Sequence, residues 1–293
     1  MTNKPASYLN SQNSKFKYAM LFEYDGRNFC GSQIQPGLRT IQDELEKALS
    51  IALRQKTRVV PSGRTDTGVS ALGQVAHFVT DEILDIPNVV YSLNGLLPGD
   101  IAVRSIEQVD KNFEARKLAT KRWYRFTIYN HPYKSALNTR ALHVKQHLDE
   151  TLMHRALEII NGTHNFDSFK STNSSTPDSN CTIYKTQCTR EGNHIYIDVV
   201  ANRFLYNMIR IIVGTLLKIG QKQEPISYLD NILKAQDRSK AGKTVKSEGL
   251  TLIAVEYPKE YNLFEDDNNP KIRELMLINY MEAQNEDIFS KAS

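Results

Sequence analysis

The stretch SGRTDTGVSALGQVAHF, residues 62–78, joins a short polar loop to an alternating strand. The loop contains two glycines, which allow the tight or left-handed backbone that a short connection needs. Between them lie Arg64 and Asp66, and two threonines beside the aspartate could orient its carboxylate. An aspartate in such a turn often only accepts backbone hydrogen bonds. A loop held by strands is also where catalytic groups tend to lie, so both interpretations of Asp66 stay open at this point.

Outward from this stretch, the hydrophobic periodicity predicts a β-α-β-β-α-β order in the first part of the chain. The predicted elements are strand 16–24, helix 40–53, strands 57–62 and 74–80, helix 88–97 and strand 100–109. Thr40 is expected to cap the first helix, because a threonine hydroxyl can accept from the free N–H groups of a helix start.

The second part of the chain repeats this order. The predicted elements are strand 121–130, helix 149–162 ending on Gly162, strands 182–190 and 194–201 joined by the hairpin signal EGN, helix 202–220 and strand 249–257. Two such units predict an α+β fold class with two ferredoxin-like halves. The polar segments 171–180 and 236–248 are predicted to be loops without a core of their own.

Element order, composition and charge divide the chain into four parts. Residues 1–15 are expected to be a disordered N-terminus, 16–115 an N-terminal half that carries Asp66, 116–258 a C-terminal half that carries Tyr124 and Arg210, and 259–293 an acidic tail with one amphipathic segment, KIRELMLINYMEA. The tail has 4 Lys and Arg against 8 Asp and Glu, and the rest of the chain has 33 against 25. A basic body of this kind suits a polyanionic partner, although ordinary surface charge would look similar.

Several classes of protein are disfavoured by what the sequence lacks. It has no apolar run of membrane-spanning length and no signal peptide pattern, so we expect a cytoplasmic protein with no membrane partner. Its three cysteines form no CxxC pair and its seven histidines no ligand cluster, so we expect buried or half-buried thiols and no metal site. Neither nucleotide-binding glycine motif is present, so the sequence indicates no dinucleotide site and no P-loop nucleotide site.

Two further residues could contribute to chemistry. By strand alternation Tyr124 shares a face with Phe126 and Ile128, as a core aromatic would, but its ring could also stack on a base. Arg210 lies in the apolar run IRIIVGTLL, where an unpaired charge is costly to bury. Its side chain must either reach solvent or pair with a carboxylate from the other half, for which Asp66 is the natural candidate.

The loop is accompanied by further blocks in a fixed order, and together these resemble the tRNA pseudouridine synthase A (TruA) family. Residues 63–78 match its GRTD-x-GV…GQV-x-HF signature. The other blocks are EYDGRNFCGSQIQPGLRTIQDELEKAL, LNGLLPGDIAV, FEAR, ATKRWYRFTIYN, NRFLYNMIRIIVGTL and SEGLTLIAVEYP. The resemblance covers roughly residues 16–260.

The resemblance implies a fold, an activity and roles for single residues. The fold is one mixed, mainly antiparallel sheet with helices on one side and a central cleft. The activity is isomerisation of uridine to pseudouridine in the anticodon arm of tRNA, at positions 38, 39 and 40, by a homodimer without a cofactor. The implied site residues are Asp66 as the catalytic aspartate, Arg210 as its basic partner, Tyr124 and Leu252 against the target base, and Arg64 beside the aspartate. Arg203, Lys121 and Arg122 are expected to hold RNA phosphates together with Arg64.

Three positions depart from the family pattern. Ser32 replaces a usual Trp, Ser70 a usual His, and Glu114 a common His. These departures bear on RNA contacts and loop packing rather than on the aspartate. Two rival functions remain: an RNA-binding module without catalysis, and a hydrolase with paired carboxylates, for which no second acid lies near Asp66 in the sequence. Neither the choice between attack on C1′ and proton abstraction nor the dimer interface follows from the sequence.

Overall fold

The computed structural model describes residues 16–172, 176–261 and 263–264. Within these ranges ten strands form one sheet. The strands are β1 (Phe16–Tyr24), β2 (Val60–Pro61), β3 (Ser70–Thr80), β4 (Ile101–Val109), β5 (Lys121–Asn130), β6 (Leu142–Val144), β7 (Gly162–Asn165), β8 (Asn180–Glu191), β9 (His194–Ala201) and β10 (Leu250–Glu256). The helices are α1 (Ile41–Ala52), α2 (Ile86–Leu96), α3 (Glu150–Leu157), α4 (Met208–Gly220) and α5 (Ser227–Ala235).

The strand order of the sheet has the same pattern in each half of the chain. The main path runs β4-β1-β3-β10-β5-β9-β8-β7, with β2 paired to β3 and β6 paired to β5. The first half therefore has the order β4-β1-β3-β2 and the second β10-β5-β9-β8, which is one ferredoxin-like arrangement used twice. All pairings are antiparallel except β3 with β10 and β5 with β6. The predicted α+β class with a mixed, mainly antiparallel sheet is confirmed.

The two halves meet where β10 lies between β3 and β5. Thr251 and Leu252 of β10 pair in parallel with Ser70 and Ala71 of β3. On its other side Leu252 pairs with Tyr124 of β5. Strand β10, the last of the described strands, thus joins the strand that follows the Asp66 loop to the strand that carries Tyr124.

The helices pack on one face of this sheet over two apolar cores. The N-terminal core contains Phe22, Leu45, Leu49, Phe78, Leu93 and Leu252, among others. The C-terminal core contains Phe126, Ile128, Leu157, Ile197, Ile212 and Leu216, among others. Tyr124 packs against both. Alternation along β5 is confirmed, because Phe126 and Ile128 face the helices while Trp123 lies in a small cluster with Ile253 and Ala254.

Several predicted boundaries are wrong for identifiable reasons. The long helix begins at Met208 instead of residue 202, because Asn207 has a left-handed backbone with φ 62°. The helix predicted over 149–162 ends at Leu157, and Gly162, with φ 98°, starts β7 instead of ending the helix. Thr40 occupies the N-cap position of α1, but its side chain makes no capping hydrogen bond.

Three elements were not predicted at all. They are the short strands β6 and β7 and the helix α5. The segment 236–248 was predicted to contribute no core, yet Ala241 and Val245 pack against the C-terminal core. Both remaining long helices and the EGN hairpin lie close to where they were predicted. The amphipathic segment KIRELMLINYMEA and residues 1–15 lie outside the described residues.

Two expectations can be compared with the structure: the burial of the cysteine thiols and the lack of a membrane-spanning segment. Cys30 is half-buried, and Cys181 and Cys188 are buried, as expected for small apolar residues. Among the described residues no helix combines the length and the apolar character that crossing a bilayer requires.

Candidate functional site

The Asp66 loop is a tight turn whose conformation depends on a glycine. The N–H of Val69 donates to the carbonyl of Asp66 at 3.1 Å, which closes a turn around Thr67 and Gly68. Gly68 has φ 81°, the value that a type II turn requires at its third position. A side chain there would also meet the hydroxyl of Ser247. The glycine therefore places Asp66 at the start of a turn that only this residue type forms without strain.

The residue before Asp66 is held from three sides. The backbone N–H of Thr65 donates to Ser32 Oγ at 2.8 Å, and its carbonyl accepts from the Ser32 N–H at 3.0 Å. Its hydroxyl shares a buried hydrogen bond with Tyr24 at 2.8 Å. Burial raises the pKa of Tyr24 to about 12, so this phenol stays neutral and keeps its proton for hydrogen bonding. Asp66 consequently follows a residue with little freedom.

The start of the loop is tied to β3. Ser62 donates from its N–H to the Val75 carbonyl at 2.7 Å and from its hydroxyl to Gln74 Oε1 at 2.6 Å. Gln74 donates in turn to the carbonyl of Gly63 at 3.2 Å. The buried amide of Gln74 thus ties the start of the loop to β3, which explains why a glutamine is tolerated in a strand that is otherwise largely apolar.

Asp66 and Arg210, which lie in different halves of the chain, come together in the structure. Arg210 Nη1 is 3.6 Å from Asp66 Oδ2, an ion-pair distance at the outer edge of hydrogen-bonding range. The two side chains are 19% and 25% exposed, so the pair is largely removed from water. Arg210 is fixed by two further contacts, from Nε to the Val245 carbonyl at 2.8 Å and from Nη1 to Asn207 Oδ1 at 2.6 Å. The sequence-based expectation of a carboxylate partner for Arg210 is confirmed.

The electrostatics of the pair follow from its burial. Burial raises the pKa of Asp66, and the positive charge of Arg210 acts against that rise. Burial also raises the pKa of Tyr124 well above its usual range, with smaller contributions from Tyr24 and Asp66. The charged and titratable groups around Asp66 are therefore a guanidinium and two phenols that stay neutral, so Asp66 is the group of this site that titrates in acid.

Tyr124 and Leu252 are apolar neighbours where the two cores meet. Leu252 is buried in the N-terminal core and lies beside the half-buried Tyr124 in the register of β10 and β5. The Tyr124 ring meets Phe204 edge to face, with 5.1 Å between ring centroids. Because Phe204 comes from the segment just before α4, this apolar cluster combines residues from three parts of the chain. Tyr124 is a packed aromatic, as one interpretation held, and it lies within the electrostatic influence of Asp66.

The four basic residues singled out in the sequence occupy different environments. Arg64 is exposed at the loop. Arg203 binds Asp178 at 3.2 Å and lies in a loop, not in the helix predicted there. Lys121 pairs with Glu256 at 2.9 Å. Arg122 is occupied by backbone carbonyls, with bonds to Ala119, Asn202, Ser62 and Arg116. The four bonds from its Nη atoms give Arg122 a structural role, and they argue against the expectation that it holds phosphate, which stays a prediction.

The three positions that depart from the family pattern also differ in location. Ser32 binds Thr65 directly, as described above. Ser70 accepts from the N–H of Gly26 at 3.1 Å and so supports the end of the loop. Glu114 pairs with Lys17 at 3.1 Å, away from Asp66. Two of the three departing residues, Ser32 and Ser70, therefore help to hold the Asp66 loop in place.

Two residues of this site do not stand out in the sequence. Asn207 falls inside the predicted helix 202–220, and Val245 inside the predicted loop 236–248. An asparagine three positions before a buried arginine is a usable signal, because side chains three apart on a helix are neighbours. Among the described residues no group of three or more His, Cys, Asp or Glu is arranged to hold a metal ion.

Comparison with known proteins gives consistent matches. A family model described as tRNA pseudouridine synthase matches residues 20–116 and 156–258. A protein named tRNA pseudouridine synthase A from Colwellia psychrerythraea is 40% identical over 248 residues, which is 84% of this chain and 96% of that protein. Proteins of the same name from Histophilus somni and Escherichia coli are 41% and 40% identical over 250 and 251 residues, covering 84% and 85% of this chain and 92% of each relative.

Proposed function

The chain belongs to the tRNA pseudouridine synthase family, and from that premise we propose that it isomerises uridines 38, 39 and 40 in the anticodon stem-loop of tRNAs. The observation that carries the proposal is the Asp66–Arg210 pair, a carboxylate and a guanidinium 3.6 Å apart that join the two halves beside Tyr124 and Leu252. The arrangement offers one ionisable acid, one fixed cation and one apolar cluster, and the reaction needs each of them.

Asp66 is the group that acts at the sugar. The reaction breaks the N1–C1′ bond, with the electron pair leaving on N1 of uracil, and later joins C1′ to C5. The C5 proton is lost and N1 gains one, so that atoms and charge balance without an oxidant or a co-substrate. Asp66 serves either as a nucleophile at C1′ or as a base for a ribose proton, and both roles need the ionised form. Arg210 favours that form against the effect of burial.

Tyr124 and Leu252 hold the detached base. A uracil that has left C1′ must rotate so that C5 faces C1′, and it must not leave the site meanwhile. An aromatic ring and a branched aliphatic side chain against the base allow this rotation and exclude water. The target nucleotide must first leave its stack, which costs a few kcal/mol. Arg64, exposed on the loop, and Arg203, near the other side of the site, offset this cost by binding phosphates.

The wider assignments complete the proposal. The enzyme acts in the cytoplasm as a homodimer, with 16–115 as the half that supplies Asp66 and 116–258 as the half that supplies Tyr124 and Arg210. Residues 259–293 are the acidic C-terminal tail, and its described residues Tyr261, Leu263 and Phe264 pack against the small cluster of Ala19, Phe113 and Ala115. The support for these statements is the resemblance of the chain to the family, together with the strand order that repeats in the two halves.

The decisive experiment measures tritium release from C5 of labelled uridine in a tRNA transcript. The wild-type protein is expected to release tritium at positions 38–40, and Asp66→Asn to reduce the rate by about 10⁴-fold or more, because an amide can neither attack C1′ nor take a proton. Asp66→Asn should retain the fold and bind tRNA with nearly unchanged affinity, measured by circular dichroism and filter binding. Turnover within tenfold of wild type would rule out Asp66 as the catalytic group.

The same assay separates the rival functions. An RNA-binding module would bind the transcript and release no tritium from it. A hydrolase would release free uracil, which chromatography of the products detects. Substrates with uridine at only one of the three positions show which sites are modified.

A further inference from the structure

Asn207 has an unusual backbone at the start of α4. Its φ of 62° and ψ of 8° are left-handed, although it occupies the N-cap position, where the backbone is usually extended. Its side chain makes no capping hydrogen bond to the first turn of the helix. The amide instead accepts from Arg210 Nη1 at 2.6 Å. The usual capping contact is therefore replaced by a contact with the arginine of the proposed active site.

The same nitrogen of Arg210 faces both Asn207 and Asp66. Nη1 is 2.6 Å from the amide oxygen of Asn207 and 3.6 Å from Asp66 Oδ2, while Nε is held by the Val245 carbonyl at 2.8 Å. Two neutral oxygens thus fix the guanidinium with short hydrogen bonds, and the carboxylate is left at the outer edge of hydrogen-bonding range, where Coulomb attraction persists. A carboxylate hydrogen-bonded directly to arginine would be less free to approach the ribose.

We propose that Asn207 is a positioning residue that holds Arg210 near Asp66 but keeps it from a short, direct hydrogen bond with the carboxylate. The inference rests on the proposed function, because it assigns a purpose to the distance between the two proposed catalytic groups. Asn207 does not itself touch the reacting atoms; it acts through the position of Arg210.

The residue type fits this task for two reasons. After glycine, asparagine is one of the residues that best tolerate a left-handed backbone. Its amide oxygen is a neutral acceptor, and arginine has only donors, so the oxygen must be the atom that faces Arg210. An aspartate could keep the contact but would compete with Asp66 for the positive charge, and a glycine could keep the backbone but would offer no acceptor.

Two variants at this position separate its effects. Asn207→Gly keeps the left-handed backbone and removes the acceptor, so Arg210 is free to move toward Asp66. The closer positive charge then lowers the pKa of Asp66 relative to wild type. We expect kcat to fall by about 10- to 100-fold through misplacement of the pair, with KM for tRNA unchanged and the acid limb of the pH–rate profile moved to lower pH. Asn207→Asp adds a like charge beside the pair, and its acid limb is expected to move to higher pH.

The opposite directions of the two shifts are the signature of a positioning role, because a loss of helix stability alone would not move the limb in either direction. Gln236→Gly is a matched control: Gln236 is exposed, also has a left-handed backbone with φ 49°, and lies at the end of α5. It should keep the wild-type kcat and pH profile. Urea unfolding of all variants identifies any loss of fold, and Asn207→Asp, which preserves the side-chain shape, remains informative if Asn207→Gly is unstable.

Wild-type and Asp66→Asn proteins in the same assay distinguish the two levels of the hypothesis. If the wild type forms no pseudouridine, the proposed function fails. If the wild type is active and Asp66→Asn is not, but both Asn207 variants keep the wild-type kcat and acid limb, only the positioning role is overturned. The positioning role would also be overturned if the acid limbs of Asn207→Gly and Asn207→Asp moved in the same direction.

Discussion

Asp66 must keep a negative charge in a place that is short of water. Burial raises its pKa, and Arg210 is the cation that opposes this rise. The balance between the two determines the pH below which the enzyme loses its ionised carboxylate. An arginine suits this position because it remains charged when it is buried.

Replacing Arg210 by methionine tests this balance. We expect Arg210→Met to lower kcat/KM near neutral pH by about 100-fold or more, because a fixed charge beside the reacting group is removed. The acid limb of the pH–rate profile should also move to higher pH, since nothing then opposes the effect of burial on the pKa of Asp66. The measurement is tritium release across a pH series, with Arg210→Lys as the variant that keeps the charge.

The same variant has a consequence for stability. A carboxyl group whose pKa is raised by folding stabilises the folded state below its unfolded pKa, and this stabilisation is lost as the pH rises through the folded pKa. Urea unfolding should therefore show Arg210→Met to be least stable, relative to wild type, on the alkaline side of that limb. An equal loss at every pH would contradict the electrostatic explanation.

At the scale of elements, α4 lies in direct backbone contact with the segment that follows α5. A Cβ atom on Gly214 would overlap the carbonyl oxygen of Lys243, and one on Gly242 would overlap the backbone of Gly214. The contact is closed by a hydrogen bond from the Gly242 N–H to Thr215 Oγ1 at 2.9 Å. Because the segment also carries Val245, which binds Arg210, this close approach places one of the two neutral contacts of the arginine.

Gly214→Ala is expected to separate these two elements. The methyl group cannot be accommodated against a carbonyl oxygen, so the free energy of unfolding should fall by about 1–3 kcal/mol, and kcat should fall because Val245 moves away from Arg210. Gly95→Ala is the matched control, since Gly95 is exposed in α2 with no atom near its would-be side chain. That change should raise the free energy of unfolding by about 0.5–1 kcal/mol. A neutral Gly214→Ala in urea unfolding would show that the contact can relax.

The elements differ in how far the sequence could predict them. Long periodic segments such as α1 and β5 lie close to their predicted limits, because their apolar positions recur at one period throughout. The start of α4 was missed because NRFLYN continues the apolar pattern, and only the left-handed Asn207 ends it. The helix α5 was not predicted, although the sequence contains a signal for it: Leu229, Ile232 and Leu233, which are buried, have helical spacing. The short strands β6 and β7 depend on partners that local sequence does not reveal.

At the scale of the whole molecule, the site exists only where the halves meet. Sequence reasoning could establish that Arg210 must either reach solvent or pair with a carboxylate, and its distance from Asp66 confirms the second alternative. It could not establish that the Nη atoms of Arg122 would bind four backbone carbonyls, because those oxygens come from residues that are far apart in the sequence, at 62, 116–119 and 202. A basic residue beside a predicted cleft is thus a weak indication of phosphate binding until its donors are counted.

Arg122 also connects the halves, which leads to a prediction for the molecule as a whole. Its guanidinium binds the carbonyl of Ser62, at the start of the Asp66 loop, and that of Asn202, after β9. Arg122→Gln leaves several of these carbonyls without partners, so the free energy of unfolding should fall by about 2–5 kcal/mol. Under conditions where the variant is folded, the salt dependence of tRNA binding should stay as in wild type, because no phosphate contact is lost.

The exposed Arg64 is the contrasting case. Arg64→Gln should leave urea unfolding unchanged and reduce the slope of log affinity for tRNA against log salt by roughly 0.7–0.9, the amount expected for one lost phosphate contact. Filter binding of both variants over a salt series therefore separates a cation that holds the protein together from one that holds RNA. If Arg122→Gln reduced the slope and Arg64→Gln did not, the two assignments would have to be exchanged, and the four carbonyl bonds of Arg122 could not be its main role.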